Sequence, residues 1–385
     1  MKKEKAVIDF TSSLYLGMHH ASRELPLWDR LTSGKPAALE DPQGAGGVEE
    51  QLATLIGSER ALLSTSTLHV FWDLFTQLAK ADVNIFLDAG TYPIVRWGVN
   101  VAGCAGTRVT TFRQHDPSSL RRALEDANGR PPVIVTDGYC PGCGRIAPIA
   151  EYLALAVAHG GYVVIDDSQA MGIYGAPAHG SHAGYGRGGG GSMQHACITR
   201  DRVMANALIV CSSLAKAFGV PAAVLAGSRT FVNHFENESK TRVHCSPPSV
   251  ADVAACSHAL KINRIRGDEL RQTLAQRVVQ LRKGMQRLGL IAIPSLFPVQ
   301  PLRLPSEIAA RNIHERLSAE GIRTVLHRGE GGKGERISFI VTAQHAVAQI
   351  ETALAVLTKA LARETNNAAG KDRIPWPTRI TTQGV

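Results

Sequence analysis

The sequence predicts an α/β fold: a mainly parallel central sheet flanked by helices, with a smaller α/β domain towards the C-terminus. Three observations carry this. Strand-like and helix-like segments alternate from about residue 50 to 255, the pattern of a layered parallel sheet. The strand candidates are short, apolar and rich in β-branched residues. Past residue 255 the texture changes, and one long amphipathic segment leads into shorter strands and helices. A chain of 385 residues is also too long for one small core.

Taken in order, "PPVIVTDG" (131–138) reads as a buried strand. "PIAEYLALAVAHGG" (148–161) reads as a helix, with Pro148 at its first position and glycines to stop it. "YVVIDD" (162–167), "NALIVC" (206–211) and "AAVLAGS" (222–228) continue the strand pattern. "ALKINRIRGDELRQTLAQRVVQLRKGMQRLG" (259–289) is a long helix with a basic outer face. Strands in "VQPLRL", "RTVLH" and "RISFIV" then alternate with helices in "EIAARNIHERLSAEG" and "AVAQIETALAVLTKALA". The expected division is an N-terminal segment 1–45, a large domain 46–255, a small domain 256–365 and a flexible tail 366–385. "GYGRGGGGSMQH" (184–195) is too irregular to be a dinucleotide fingerprint.

Composition narrows the function classes. Apolar residues make up 44% of the chain and charged residues 19%, and no apolar run approaches the roughly 18 residues of a membrane span. The basic tip "MKKEKAVIDF" lacks the apolar core of a signal peptide. Seven scattered cysteines indicate reduced thiols in a cytoplasmic protein, not a disulfide framework. The net charge is +9, but aromatics are only 5% and no basic stripe interleaves with them, which argues against nucleic-acid recognition. A basic surface suits a polyanionic small substrate equally well.

Two strand ends carry the chemistry. "VVIDDSQAMGIYG" (163–175) finishes a strand on Asp166 and Asp167, and "SSLAKAFG" (212–219) places Lys216 just past another. Ligands of open α/β sheets sit beyond the carboxyl ends of the strands. A lysine and an acid there match the needs of pyridoxal phosphate: the amine forms a Schiff base and the carboxylate keeps the pyridine nitrogen protonated. On these two residues alone, an ordinary surface ion pair is the commoner explanation.

The order of motifs reverses that ranking. "DFTSSLYLGMHH" (9–20), "VEEQLATLIGSERALLSTST" (48–67), "VIVTDGYCPGCGRIAPI" (133–149), "VIDDSQAMGIYG", "SSLAKAFG" and "VTAQH" (341–345) together resemble the α-oxoamine synthase branch of fold-type I pyridoxal-phosphate enzymes. The resemblance spans most of residues 9 to 360. It implies that the large domain binds the cofactor, with Lys216 as the Schiff-base lysine and Asp166 as the pyridine-nitrogen acid. It puts Ser213 on the phosphate, together with Ser66, Thr67 and Leu68 at a helix start. Tyr92 falls where the family stacks a histidine on the ring, and a phenol offers the same flat face. His244, in "VHCSPP" (243–248), aligns with a hydroxyl residue that reaches the neighbouring subunit's phosphate, which implies a homodimer with shared sites.

Three departures bear on the reaction. Gln169 replaces a family histidine; an amide can donate to the ring oxygen but carries no proton in catalysis. Pro141 replaces a serine near that oxygen. Ser338 replaces the arginine that clamps the amino-acid carboxylate, a bidentate pairing serine cannot make; Arg336, two residues earlier on a strand, would share its face. The resemblance implies condensation, usually decarboxylative, of an amino-acid-derived carbanion with an acyl thioester, on CoA or a carrier protein, to an α-amino ketone; whether CO2 is lost stays open. An aminotransferase and a catalytically silent partner subunit are the alternatives. Cys140 and Cys143, in "CPGC", have redox or half-zinc spacing, but no second pair or nearby His accompanies them in the sequence; they read as two loop cysteines near the pocket mouth, and no metal is expected.

Overall fold

The computed structural model describes residues 7–371 except 127–128, 181–183, 199–201, 292, 294, 306–307 and 329–333. Its centre is a seven-stranded sheet made of β1 (Arg60–Ser64), β2 (Asn84–Asp88), β3 (Val109–Phe112), β4 (Pro132–Asp137), β5 (Tyr162–Asp166), β6 (Leu208–Ser213) and β7 (Ala223–Gly227). The spatial order is β1-β7-β6-β5-β4-β2-β3. β7 runs antiparallel to both its neighbours, and the pairings from β6 through to β3 are parallel. This is the fold class that the sequence predicts.

The apolar runs have a physical reason. Alternate residues of each strand feed two different cores, so no position is left for a polar side chain. Ile85, Leu87, Val133, Val135, Val164 and Ile209 enter one core with helices α2 (Thr67–Leu78) and α3 (Pro93–Cys104). Phe86, Ile134, Val163, Ile165 and Val210 enter the other. That second face is covered by α1 (Ala45–Ile56), by the helix Ile149–Ala158 and by a 38-residue helix, Val250–Arg287. Pro148 is the N-cap of Ile149–Ala158, one place before the position expected for it. The long helix opens with a capping box in which Ser249 and Asp252 bond each other's backbone N–H. It runs straight through the expected boundary at 255/256.

The C-terminal part is a three-stranded antiparallel sheet of Val299–Pro301, Glu335–Ile340 and Val325–Arg328, with helices Ala310–Ala319 and Val347–Lys371. The expected tail from 366 therefore begins inside a helix, and 372–385 lie outside the described residues. The N-terminal segment is fastened to this part: Ile8–Asp9 pairs with Ile322–Arg323, and Phe10 stacks on His345 with centroids 4.3 Å apart.

Asp167 locks the glycine-rich loop. It is fully buried and accepts the Ser192 N–H at 2.9 Å and the Ser192 hydroxyl. Gly191 has φ +89°, and a Cβ there would stand 1.9 Å from Asp167 Oδ2, so no larger residue fits. Burial pushes the Asp167 carboxyl up to about 7, against the Ser192 hydrogen bonds. Because the folded value is raised, the acid's contribution to stability is full below its unfolded value near 3.8 and is lost as pH rises through about 7. Asp167→Asn, which can accept from Ser192 N–H and donate to Ser192 Oγ, should keep the fold and flatten this decline in urea midpoint with pH. Asp167→Ala leaves the buried N–H unpaired and should cost about 1–3 kcal/mol in the same titration.

Candidate active site

The carboxyl ends of β1, β2, β4, β5 and β6 lie along one edge of the sheet, and every residue singled out on the large domain other than His244 is attached to one of them. Lys216 rides on a tight loop after β6, closed by Val220 N–H to Leu214 O (3.0 Å) and Leu214 N–H to Ala222 O (2.8 Å). Leu214, Ala217, Phe218 and Val220 are buried and hold the loop in place. His20 Nε2–H donates to Phe218 O at 2.8 Å from the N-terminal segment. Gly172, at φ +81°, packs so closely that a Cβ would sit 2.4 Å from Ala217 Cβ. The glycine of "AMG" is thus what lets the lysine loop lie against the end of β5.

The amine meets two acids. Burial lowers the Lys216 pKa, and the charges of Asp166 and Asp137 oppose the shift. Among the described residues its Nζ makes no hydrogen bond; it lies 6.0 Å from the centroid of the Tyr92 ring. Asp166 is 7% exposed, and its Oδ1 accepts the Ser168 N–H at 3.0 Å. Ser168 Oγ in turn accepts the Ser213 N–H at 2.8 Å, which ties the end of β5 to the end of β6. Asp137 was not singled out by the sequence, although it ends β4 as Asp166 ends β5. Burial pushes its carboxyl well up, and the Asp166 charge adds to the shift. Its Oδ1 accepts the Tyr92 N–H at 3.1 Å, which fixes the start of α3 and the tyrosine ring.

Gln169 follows the acids. Its Oε1 accepts the hydroxyl of the buried Tyr15 at 2.7 Å, so the amide NH2 is the end left for another partner. Tyr15 was unmarked within "DFTSSLYLG", and a contact between residues 154 apart leaves no sequence signal. Ser66 is the N-cap of α2, its Oγ accepting the His69 N–H at 3.4 Å. Thr67 and Leu68 open the helix, where first-turn N–H groups lack intrahelical acceptors. Ser213 Oγ accepts the Ala215 N–H at 3.3 Å.

His244 is exposed at the end of the short helix Lys240–His244, and within this chain it touches none of the other site residues. The segment after it does approach the end of β1, since Thr65 Oγ1–H donates to Ser246 O at 3.1 Å. Ser338 is buried, with His327 Nε2 2.8 Å from its Oγ. The register pairs His327 with Arg336 and Val325 with Ser338, so Arg336 and Ser338 share a face. Arg336 is exposed there. It lines a cavity of about 720 Å³ with Leu302, Arg303, Leu304 and Gly142. Cys140 and Cys143 sit on a hairpin, Tyr139–Cys140 with Arg145–Ile146. Among the described residues no three or more His, Cys, Asp or Glu are grouped to hold a metal, and no helix is long and apolar enough to cross a membrane.

Comparison with known proteins bears on the family and the fold. The profile of the family "Aminotransferase class I and II" matches residues 5–357. An 8-amino-7-oxononanoate synthase of Nitrosococcus oceani is 28% identical over 318 residues, 82% of this chain and 79% of that protein. Among solved structures, Sphingomonas wittichii serine palmitoyltransferase superposes with a TM-score of 0.80 at 18% identity, covering 94% of this chain and 88% of that one. Francisella tularensis 8-amino-7-oxononanoate synthase superposes with 0.70 at 19% identity, covering 93% and 99%. These relatives bear out the resemblance to α-oxoamine synthases, and the two structures the fold.

Proposed function

The chain belongs to the aminotransferase class I and II family, and from that premise we propose that it is a pyridoxal-phosphate-dependent acyltransferase. It condenses the Cα of an amino acid with the acyl group of a thioester, usually with loss of CO2, to give an α-amino ketone. One observation carries the reading: a half-buried lysine amine, free of hydrogen bonds among the described residues, held near two strand-end acids and the face of a tyrosine ring. That donor set fits the cofactor. It offers an amine for the aldehyde, a carboxylate for the ring nitrogen, an amide N–H for the ring oxygen, and a helix start with hydroxyls for the phosphate.

When bound, the cofactor supplies an electron-withdrawing ring that stabilises negative charge at the substrate Cα. The protein's residues do the rest. Lys216 would hold the cofactor through its aldehyde and would take and return the Cα proton. Asp166 holds the proton on the pyridine nitrogen. Gln169 donates to the ring oxygen, and Tyr92 covers one face. Ser66, Thr67, Leu68 and Ser213 bind the phosphate, and His244 completes the phosphate site of the neighbouring subunit in a homodimer. Arg336, beside Ser338, takes over the carboxylate contact. Arg303 and the leucines of the 720 Å³ cavity suit an acyl donor with an anionic head, CoA or carrier-bound. Seven unpaired thiols support a cytoplasmic location.

The test is release of free thiol from a panel of acyl-CoA donors with amino acids present. Transfer of the amino group to a keto acid without thiol release would replace this reading by the aminotransferase one. The Tyr15–Gln169 bond gives a finer check. Tyr15→Phe should weaken cofactor binding by about 1 kcal/mol, roughly fivefold in Kd. In the Gln169→Ala background it should have no further effect; an equal loss in both backgrounds would show that Tyr15 acts elsewhere.

A further inference from the structure

We propose that Cys140 and Cys143 form a thiol–disulfide exchange site for low-molecular-weight disulfides, with Cys143 as the attacking sulfur and Cys140 as the resolving one. Nothing in the transfer chemistry uses either residue, yet their placement is specific. The hairpin turn between them is closed by Gly144 N–H to Cys140 O at 2.8 Å. Cys143 N–H donates to Cys140 Sγ at 3.2 Å, and Cys143 Sγ lies 3.8 Å from Cys140 O. Each sulfur therefore sits against the other residue's backbone, which brings the two cysteines together across one tight turn.

The surroundings distinguish the two sulfurs. Cys140 Sγ also accepts Gln114 Nε2–H at 3.1 Å, which anchors it on the strand side. Cys143 Sγ faces His115 Nδ1 at 3.8 Å. His115 is itself pinned, at φ +52°, by its N–H to Asp88 Oδ2 (3.0 Å). The hydrogen bond from Cys140 and then Arg145 hold the Cys143 thiol down to about 6, against burial. The same hydrogen bond, reinforced by burial, pushes Cys140 up. A thiolate beside a cation with a protonated thiol in reserve is the arrangement of a Cys-x-x-Cys exchange site. Neither cysteine is fully buried.

The exchange balances as follows. Cys143 sulfur attacks one sulfur of the small disulfide; that S–S bond breaks and one small thiol leaves with the proton Cys143 has shed. Cys140 then attacks Cys143 Sγ, and the second small thiol leaves with the Cys140 proton. The protein dithiol loses two electrons and two protons, and the small disulfide gains them.

The experiment uses the reduced, cofactor-loaded full chain with oxidised glutathione, acid quench, alkylation of remaining thiols and peptide mapping by mass spectrometry. The wild type is expected to form a Cys140–Cys143 disulfide before the exposed Cys104 reacts. Cys140→Ser should trap one glutathionyl group on Cys143. Cys143→Ser should leave Cys140 free, its modification slower by about tenfold or more. A wild-type pair that stays reduced while Cys104 is modified overturns the proposal, with no variant needed. Trapping on Cys140 as fast as on Cys143 overturns the assigned roles. No arm depends on transferase activity, so its failure and that of the proposed function are separable.

Discussion

Lys216→Ala is expected to abolish covalent retention of the cofactor and to lower turnover by about 10²–10⁴-fold, the range for losing a positioned acid–base group. On the proposed reading the substitution removes two functions together: the amine that would hold the cofactor aldehyde and the base that would act at Cα. Burial lowers the pKa of this amine, so more of it is in the neutral, nucleophilic form near neutral pH than for a surface lysine. The charges of Asp166 and Asp137 pull the other way. The loop itself should survive, because Leu214, Ala217, Phe218 and Val220 anchor it independently of the lysine. Far-UV circular dichroism of the variant should therefore match wild type while the hydride-fixed chromophore disappears. A variant that still carries cofactor covalently after borohydride reduction, and turns over within tenfold of wild type, would take Lys216 out of the site.

The sheet was legible because strands shared between two cores cannot carry polar residues, and "VIV", "VVI" and "LIV" show that plainly. Lys216 and Asp166 were legible only through the order of the motifs around them, since a charged residue ending such a run reads by itself as a surface ion pair. Asp137 ends such a run in "VIVTDG" and passed unmarked, since a strand-end acid beside glycine also reads as an ordinary turn. The Tyr15 bond to Gln169 and the pinning of Cys140 by Gln114 are contacts between segments remote in the chain, and such contacts have no periodicity to betray them. The long helix was read from 259, but its capping box lies at Ser249, hidden behind the two prolines of "CSPPS". The antiparallel direction of β7 was equally invisible, because an apolar run does not encode its own orientation.

Gln169 and Tyr15 show how a departure from the family pattern is accommodated. An amide in place of an imidazole can turn either end to the cofactor, and only its NH2 is useful at a ring oxygen. The Tyr15 hydroxyl resolves the choice by occupying Oε1. The N-terminal segment, itself fastened to the C-terminal sheet through Ile8–Asp9 and Phe10, thereby takes part in the site. A loosened segment would be felt at Gln169 before it was felt in the core.

Asp166→Asn should leave the fold and phosphate contacts intact while cutting turnover by about 10²–10³-fold, as expected for loss of one preorganised electrostatic partner. The asparagine is isosteric and its Oδ1 can still accept the Ser168 N–H, now at 3.0 Å, so the tie to Ser213 persists. On the proposed reading, what goes is the negative charge that would hold a proton on the pyridine nitrogen, and with it the ring's capacity to draw electrons from Cα. Two neighbours respond in known directions. The Asp166 charge raises both Lys216 and Asp137, so both should titrate lower in the variant, and the pH profile should move to the acid side. Asp137→Asn separates the two carboxylates: it removes one of the charges acting on Lys216, while the asparagine Oδ1 can still accept the Tyr92 N–H and Asp166 is untouched. It is expected to shift the pH profile with a loss of about tenfold or less. Equal losses from the two variants, measured as kcat at saturating cofactor, would mean that the ring nitrogen has no single acid and that the roles given to β4 and β5 are wrong.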